Sequence, residues 1–385
     1  MKTTTRVPES TAPAITATTV HLLLAFELGE RTWKLGFTTG FGQRPRIRQV
    51  PAGAVDRVLE EIGRAKRRLK LPDETAVISC YEAGRDGFWL HRYLVARSVI
   101  NHVVDSSSIE VNRRARRAKT DKLDLAGLLN LLARSLAGDR RAWRVVRVPT
   151  VAEEDARQLH RTRETLQKDR TRLICRLQGL LVTQGVRLRI EGDFLEQLDA
   201  ARLWDGTPVP AGLRARVTRV WTQLELLNAQ LEELDADRAA LRVDQATDTA
   251  RYVERLPTLR GIGPVGAWVL ATEIFGWREI RNARQLGGLV GLVPAPFQSG
   301  ETDHDQGITR AGNKHVRRLM VQLAWSWRRW QPTSALTRWY EDKFGRGSRR
   351  LRRIGIVALA RKLLIALWRY VEQGVMPEGA DLKTT

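Results

Sequence analysis

Leucine and valine recur at Leu213, Val217, Val220, Leu224, Leu227, Leu231 and Leu234, spaced 4, 3, 4, 3, 4 and 3 residues apart, with Leu241 beyond them. A strand alternates every second residue and cannot gather these side chains, whereas a helix puts them on one seam. Upstream, Leu159, Leu166, Leu173 and Leu180 return every seven residues. A Gly/Pro-containing break, Gly206 to Gly212, separates the two runs. The pattern predicts two long helices and a connector. They form an antiparallel coiled-coil arm, or two seams that pair between protomers; two ordinary amphipathic helices are the plainer alternative.

The chain before this arm reads differently. Val20–Leu28 is an apolar run of strand length with Glu27 near its end, and Arg31–Thr38 alternates as a second strand. Arg46–Val50 follows Pro45 as a short third. Ala52–Leu69 carries Val55, Val58, Leu59, Ile62 and Ala65 at helical spacing, and Pro72-Asp73 breaks it. Thr75–Tyr81 is a buried strand with Glu82 at its C-terminal end. A helix around Gly87–Ala96, a strand Ser98–Val104 and a helix from Asp121 to Ala137 complete a mixed sheet with helices. The expected organisation is a loose tail over 1–18, an α/β domain over 19–145 and a helical arm over 146–250. A helical domain over 251–375 and a tail over 376–385 follow, so the fold class is α/β plus α.

Charge narrows the function. Among 385 residues, 65 Lys and Arg face 43 Asp and Glu, a net charge of +22. Such an excess calls for a polyanionic partner, and nucleic acid is the default. The arginines are spread along the whole chain, which disfavours a membrane surface, and no apolar run spans a bilayer. Only Cys80 and Cys175 occur, far apart. They make no zinc-type spacing and fit a reduced cytoplasmic compartment.

Arg113, Arg114, Arg116, Arg117 and Lys119 put five cations in seven residues, and Asp121 and Asp124 follow at i and i+3. That spacing sets both carboxylates on one helix face, where a divalent metal can be held beside a polyanion. Adding Glu27 and Glu82 from the strand ends gives four acids, the number that two Mg²⁺ ions need for in-line phosphoryl transfer. Each acid alone reads equally as a surface or capping residue. Gly261-Ile-Gly263-Pro264 has the form of a helix-hairpin-helix whose backbone N–H groups dock phosphate, or of a tight αα-turn. A Gly/Pro-rich loop, Gly287–Gln298, leads to Ser299-Gly300, a nucleophile position or a turn. Arg310, Lys314 and Arg317 open a long helix ending near Trp330, and Arg349, Arg350, Arg352 and Arg353 form a C-terminal cluster. These are candidate phosphate contacts. Trp325, Trp327, Trp330 and Trp339 lie among them, as base-stacking platforms or, from their helical spacing, as core.

The order Glu27, Glu82, Asp121, Asp124, ending in Lys119-Thr120-Asp121-Lys122-Leu123-Asp124, resembles the DEDD set of a RuvC-like, RNase H-fold nuclease domain. Gly261-Ile-Gly263-Pro, Gly291-Leu-Val-Pro294, Ser299-Gly300 and Gly307–Asn313 resemble the C-terminal domain of the same family. That family is the DEDD-type insertion-sequence transposases of the IS-one-ten group, which are bridge-RNA-guided recombinases. The resemblance covers about residues 20 to 370. It implies that Glu27, Glu82, Asp121 and Asp124 bind Mg²⁺ and that Ser299 attacks DNA to form a covalent 5′-phosphoserine link. It implies a noncoding bridge RNA that pairs with double-stranded donor and target DNA. It also implies dimers that join into tetramers with composite sites, and a cytoplasmic, nucleoid-associated prokaryotic protein. The Leu213–Leu234 seam is a candidate for that association.

Two departures stand out: the family's first acid is usually Asp where this chain has Glu27, and Gly300 is followed by the acidic run Glu301-Thr-Asp303-His304-Asp305. Two other classes fit the residues. One is a Holliday-junction-type metal-dependent endonuclease with Ser299 structural. The other is a non-catalytic nucleic-acid-binding derivative, favoured by Glu27.

Overall fold

A computed structural model describes residues 20–109, 121–241, 248–299 and 302–383, leaving aside the side chains at 107, 121–123, 241, 296–299 and 302–306. The chain divides into two compact units, Met1–Val148 and Pro149–Thr385.

The first unit is built on β1 (Leu22–Leu28), β2 (Thr32–Thr38), β3 (Arg46–Pro51), α1 (Val55–Arg68), β4 (Val77–Glu82), α2 (Trp89–Val95), β5 (Ile100–Val104) and α3 (Asp121–Leu136). The strands form one sheet in the order β3-β2-β1-β4-β5. The β1–β2 and β2–β3 pairs are antiparallel, and β1–β4 and β4–β5 are parallel. Each predicted element of this unit appears, with ends moved by a few residues.

Strand alternation assigns the two faces. Leu22, Leu24, Phe26, Val77 and Tyr81 share a core with α1 and α2, through Val58, Ile62, Ala65, Leu90 and Leu94. Leu23, Ala25, Ile78 and Cys80 face the other way and pack with Leu125, Leu128, Leu129 and Leu132 of α3. Gly36 lets α3 approach β2: a Cβ there would meet Leu129 Cδ1 at 3.1 Å.

The second unit begins with α4 (Val151–Val182), α5 (Phe194–Ala200) and α6 (Ala211–Leu241). A capping box starts α4: Thr150 Oγ1 accepts from the Glu153 amide at 3.1 Å, and Glu153 Oε2 accepts from the Thr150 amide at 2.7 Å. The heptad residues close a seam within one chain. Leu173, Leu177 and Leu181 pack with Leu213, Val217, Val220 and Leu224, joined by Phe194, which stacks on Trp221 at 4.8 Å. Arg163 binds Asp235 through two hydrogen bonds of 2.9 and 3.0 Å, and Arg170 Nε donates to Asn228 Oδ1 at 2.7 Å. Partner numbers on α6 fall as those on α4 rise, so the helices run antiparallel. The buried part of the seam, Leu213 to Leu224, is therefore filled by α4 of the same chain.

The remainder holds α7 (Asp248–Arg255), α8 (Pro264–Leu270), α9 (Ala283–Val290), β6 (Pro294–Ser299), β7 (Thr302–Ile308), α10 (Lys314–Trp330), α11 (Ala335–Tyr340) and α12 (Arg349–Gln373). A single π-helical turn, Ala271–Phe275, continues α8. The expected loop from Gly287 to Gln298 is instead the end of α9 and a strand. Asn282 caps α9, its Oδ1 accepting from the Gln285 amide at 2.9 Å, and Gly291 ends it with φ +70°. The prolines of β6 sit in a two-stranded hairpin with irregular pairing between Pro294 and Pro296, a placement that a strand with an open edge tolerates. The segment expected as a C-terminal tail is docked: Arg260 N donates to Asp381 O and Lys383 N to Thr258 O.

Leu177 is fully buried between α4 and α6. Leu177→Ala is expected to destabilise the arm by about 2–5 kcal/mol. Because the seam is intrachain, Leu177→Ala should leave the dependence of the urea midpoint on protein concentration as it is in the parent protein; a steeper dependence in the variant would place the seam between protomers.

Candidate active site

Glu27 and Glu82 come together from the sheet itself. The parallel register Phe26–Tyr81, carried one step on, sets them side by side at the C-terminal ends of β1 and β4. Alternation turns both toward the face that α3 covers. They share a cleft of about 310 Å³ with two further carboxylates that the sequence did not single out, Glu30 and Asp86. Arg85 lies on the rim, 3.9 Å from Glu30 and 3.8 Å from Asp86. The loop after β4 is fixed by Tyr81 Oη donating to Gly87 O at 3.1 Å and by Ser106 Oγ donating to Ala83 O at 2.9 Å.

Asp124 is half-buried in the first turns of α3, the helix packed on this same face, and is not among the residues lining the cleft. Asp121 opens that helix, and its side chain lies outside the described residues, as do Arg113, Arg114, Arg116, Arg117 and Lys119 entirely. Among the described residues no three His, Cys, Asp or Glu side chains make up a metal-binding group. Neither Glu82 nor Asp124 has a cationic partner among the described residues, although 65 Lys and Arg are present. Oxygen donors of this kind suit a hard divalent cation.

Ser299 is the last residue of β6 and pairs with Thr302 of β7, so it stands at the tip of a hairpin. Thr302 to Asp305 of the acidic run lie in the return strand. The hairpin's roots are tied together. Thr309 N donates to Val293 O at 2.9 Å, Arg310 N to Gly291 O at 3.2 Å and Asn313 N to Leu289 O at 2.8 Å. Gly312, at φ +99°, passes so close that a Cβ would meet Leu289 O at 2.3 Å.

The candidate basic residues divide by partner. Arg317 Nη1 donates to Val290 O at 2.9 Å and so helps close α9. Lys314 and Arg310 are exposed, the latter with a left-handed φ of +54°. Arg349, Arg350, Arg352 and Arg353 are all exposed in the first turns of α12, where no acidic residue sits. Cations at the positive end of a helix dipole disfavour it, so this cluster fits an external anion. Gly261 adopts φ +85° against Trp330 and Ser326, and its carbonyl accepts from Ser326 Oγ at 2.8 Å. Gly263 caps α8. Trp327 is fully buried, whereas Trp325 and Trp330 are 44% and 47% exposed, with Arg328 and Arg329 over their rings. Trp339 is partly buried.

Sequence reasoning missed Glu273. It lies buried in the π-helical turn, only 1% exposed. Arg161 Nε and Nη2 donate to it at 2.7 and 3.0 Å, Asn313 Nδ2 donates at 2.6 Å, and His160 Nε2 lies 3.0 Å away. Burial favours the neutral acid, but the hydrogen bonds from His160 and Arg161 and the guanidinium charge outweigh it and hold the carboxyl at about 2. Asn313 also caps α10, its Oδ1 accepting from the amides of His315 and Val316. Next to it, Glu164 gathers His315 at 2.6 Å, Lys168 at 2.8 Å and Arg318. Burial and the Arg161 charge push the His315 imidazole below its ordinary value. The arm helix α4, the π turn and the root of the serine hairpin are thereby joined through one buried charge.

A mixed α/β unit with acids at its strand ends, followed by a helical unit carrying a serine hairpin and an exposed arginine cluster, defines a nucleic-acid-processing protein. Residues 253–340 match the model of the Transposase IS116/IS110/IS902 family. The chain is 38% identical to y4rJ, a Sinorhizobium fredii protein that carries a transposase name, over 94% of this chain and 95% of that one. It is 27% identical to the transposase for insertion sequence element IS1328 of Yersinia enterocolitica, over 57% and 63% of the two chains. It is 30% identical to the transposase for insertion sequence element IS1111A of Coxiella burnetii, over 49% and 50%. The chain belongs to the IS110/IS116 family of transposases.

Because the folded Glu273 value, about 2, lies below the ordinary 4.5, its stabilisation is fully present above about pH 4.5 and is lost as pH falls toward 2. At 1.36 kcal/mol per unit this amounts to about 3 kcal/mol. Urea midpoints at about pH 6.5 and about pH 3 should therefore differ less in Glu273→Gln than in the parent protein. An equal drop in both would remove Glu273 as the source.

Proposed function

We propose that this transposase cuts and rejoins DNA by a covalent route in which Ser299 is the nucleophile and Glu27, Glu82, Asp121 and Asp124 hold Mg²⁺. The observation that carries the reading is the pairing of Glu27 and Glu82 at adjacent parallel strand ends, on the face covered by the helix that Asp121 begins. The strand order β3-β2-β1-β4-β5, three antiparallel strands followed by two parallel ones, supports an RNase H-like, RuvC-type reading of the unit. No helix among the described residues is long and apolar enough to cross a membrane.

Magnesium, when bound, supplies charge stabilisation at the reacting phosphate. Ser299 Oγ attacks phosphorus; the new O–P bond replaces the bond to the 3′ oxygen, which leaves as a hydroxyl carrying the serine's proton. The 5′-phosphoserine link keeps the phosphoester, so rejoining needs no ATP. The tied roots of the β6–β7 hairpin hold the serine backbone in place. Arg349, Arg350, Arg352 and Arg353 bind nucleic-acid backbone. A bridge RNA then reads donor and target by base pairing while the protein reads backbone and shape. Dimers joining into tetramers bring the parts together on double-stranded DNA.

Denaturing gels of protein mixed with cognate element-end DNA and Mg²⁺ test the chemistry. A covalent adduct is expected from the parent protein and from neither Ser299→Ala nor Glu82→Ala. Hydrolysed ends without adduct would instead select a plain metal-dependent endonuclease. Sequencing of RNA that copurifies with the protein tests the guide: one discrete noncoding species is expected, and bulk RNA alone removes guidance from the mechanism.

A further inference from the structure

Lys34 stands directly across the β1–β2 ladder from Glu27, and Gln49 stands across the β2–β3 ladder from Lys34. Adding Glu82 beside Glu27 gives a row of four polar residues across four strands, Gln49, Lys34, Glu27 and Glu82. The row spans roughly 14 Å at ~4.8 Å per strand. All four lie on one face. Ile47, two residues before Gln49, packs with the α3 core, and Gly36, two after Lys34, faces Leu125 and Leu129.

The cationic end of the row opens into a second cleft, about 370 Å³, lined by Lys34, Arg44, Pro45, Ile47 and Gln49. Among the described residues no carboxylate lines it. The next arginines show what a scaffold cation does here. Arg46 and Arg48 each lie 3.6 Å from Glu61, a residue on the opposite helix layer. Arg44 has no acidic partner among the described residues. The first cleft, by contrast, carries Glu27, Glu30, Glu82 and Asp86. A polyanion does not approach four carboxylates unaided, and charges within a Debye length of ~8–10 Å decide whether it is held. Lys34, one strand spacing from Glu27, is within that range.

We propose that the Lys34–Arg44 cleft is a DNA-backbone site, in which Lys34 and Arg44 hold phosphate oxygens of the strand whose reacting phosphate lies at Glu27 and Glu82. It rests on the reading of the acidic cleft as the strand-cleaving site. Gln49 supplies an uncharged donor at the far end of the row. The strand thus crosses the sheet face perpendicular to β1, with cations on its approach and carboxylates at its end. Lys34 is a positioning residue: it sets where the strand lies relative to Glu27 and takes no part in bond making.

The test is salt-dependent binding of a short DNA duplex to the full-length protein, with Lys34→Gln, Arg44→Gln and the double variant. Each lost phosphate contact lowers the slope of log affinity against log salt by about 0.9. The double variant should therefore lose about tenfold less affinity than the parent between about 50 and 200 mM salt. Lys34→Arg keeps the charge and should keep the parent slope. Equal urea midpoints show that the variants are folded. Unchanged affinity and slope in the double variant overturn the proposal, and so does a slope change seen with single-stranded RNA but not with DNA. The acidic-cleft reading fails separately, if Glu82→Ala still cleaves, whatever Lys34 does.

Discussion

The register of β4 against β1 is the constraint on which the first unit's chemistry depends. Both strands are buried on both faces, with Leu24 and Tyr81 in one core and Ala25 and Cys80 in the other. A slip of one residue would drive Tyr81 into the layer packed by α3 and turn Glu82 toward the layer packed by α1 and α2. The apolar residues therefore fix the carboxylate pair, and no ion pair is needed to aim Glu82. Cys80 belongs to this device. It is fully buried, and burial pushes its thiol well above the ordinary range, so it packs as a small apolar group.

In the second unit a buried charge plays the corresponding part. An ionised carboxylate in a protein interior costs several kcal/mol unless its oxygens are fully paired. Glu273 meets that condition only when α4 presents Arg161 and the start of α10 presents Asn313. Moving either helix strands the charge, so their placement is close to all-or-none. Asn313 cannot shift without uncapping α10, and Gly312 and Gly291 admit no side chain where they cross the neighbouring backbone. The hairpin that carries Ser299 thus rises from a root whose geometry is set within its own unit, before any partner arrives.

Much of this was legible in the sequence where a single periodicity decided the matter. Strand-length apolar runs located β1 and β4, and with them Glu27 and Glu82 at strand ends. The leucine seam located α4 and α6, but heptad spacing is the same whether the partner helix belongs to the same chain or another; only the pairs Arg163–Asp235 and Arg170–Asn228 show which. The serine hairpin was hidden because prolines in β6 and acids in β7 both disfavour strand in isolation. Glu273 was hidden because a π turn shifts its facing relative to an unbroken helix. Lys34 was hidden for a different reason: its importance comes from the residue opposite it, and register is not written in one strand alone. The tryptophans divided within one helix: Trp327 is inward and Trp325, two residues away on the opposite side of a 3.6-residue turn, is outward, while Trp330 is half exposed where the helix ends.

Charge pairing separates scaffold from working residues more sharply than charge count does. Glu61, Glu164 and Asp235 each hold at least two Lys or Arg side chains, Glu273 holds Arg161 with His160 beside it, and all four knit helices or strands together. Cations such as Arg46, Arg48, Arg161 and Arg163 are accounted for by these contacts, and so contribute to the fold while adding little to the external field. Two other groups stand apart from these contacts. Arg349, Arg350, Arg352 and Arg353 crowd the positive end of α12 with no acid in its first turn, an arrangement that costs helix stability at about 0.3–1 kcal/mol per charge. Arg44 lines a cleft without a carboxylate. Among the described residues Glu82 and Asp124 have no cationic partner, in a chain of net charge +22. Acids without cationic partners among the described residues suit a hard divalent cation, and arginines without acidic partners suit a polyanion, which is the physical basis for the proposed strand cleavage.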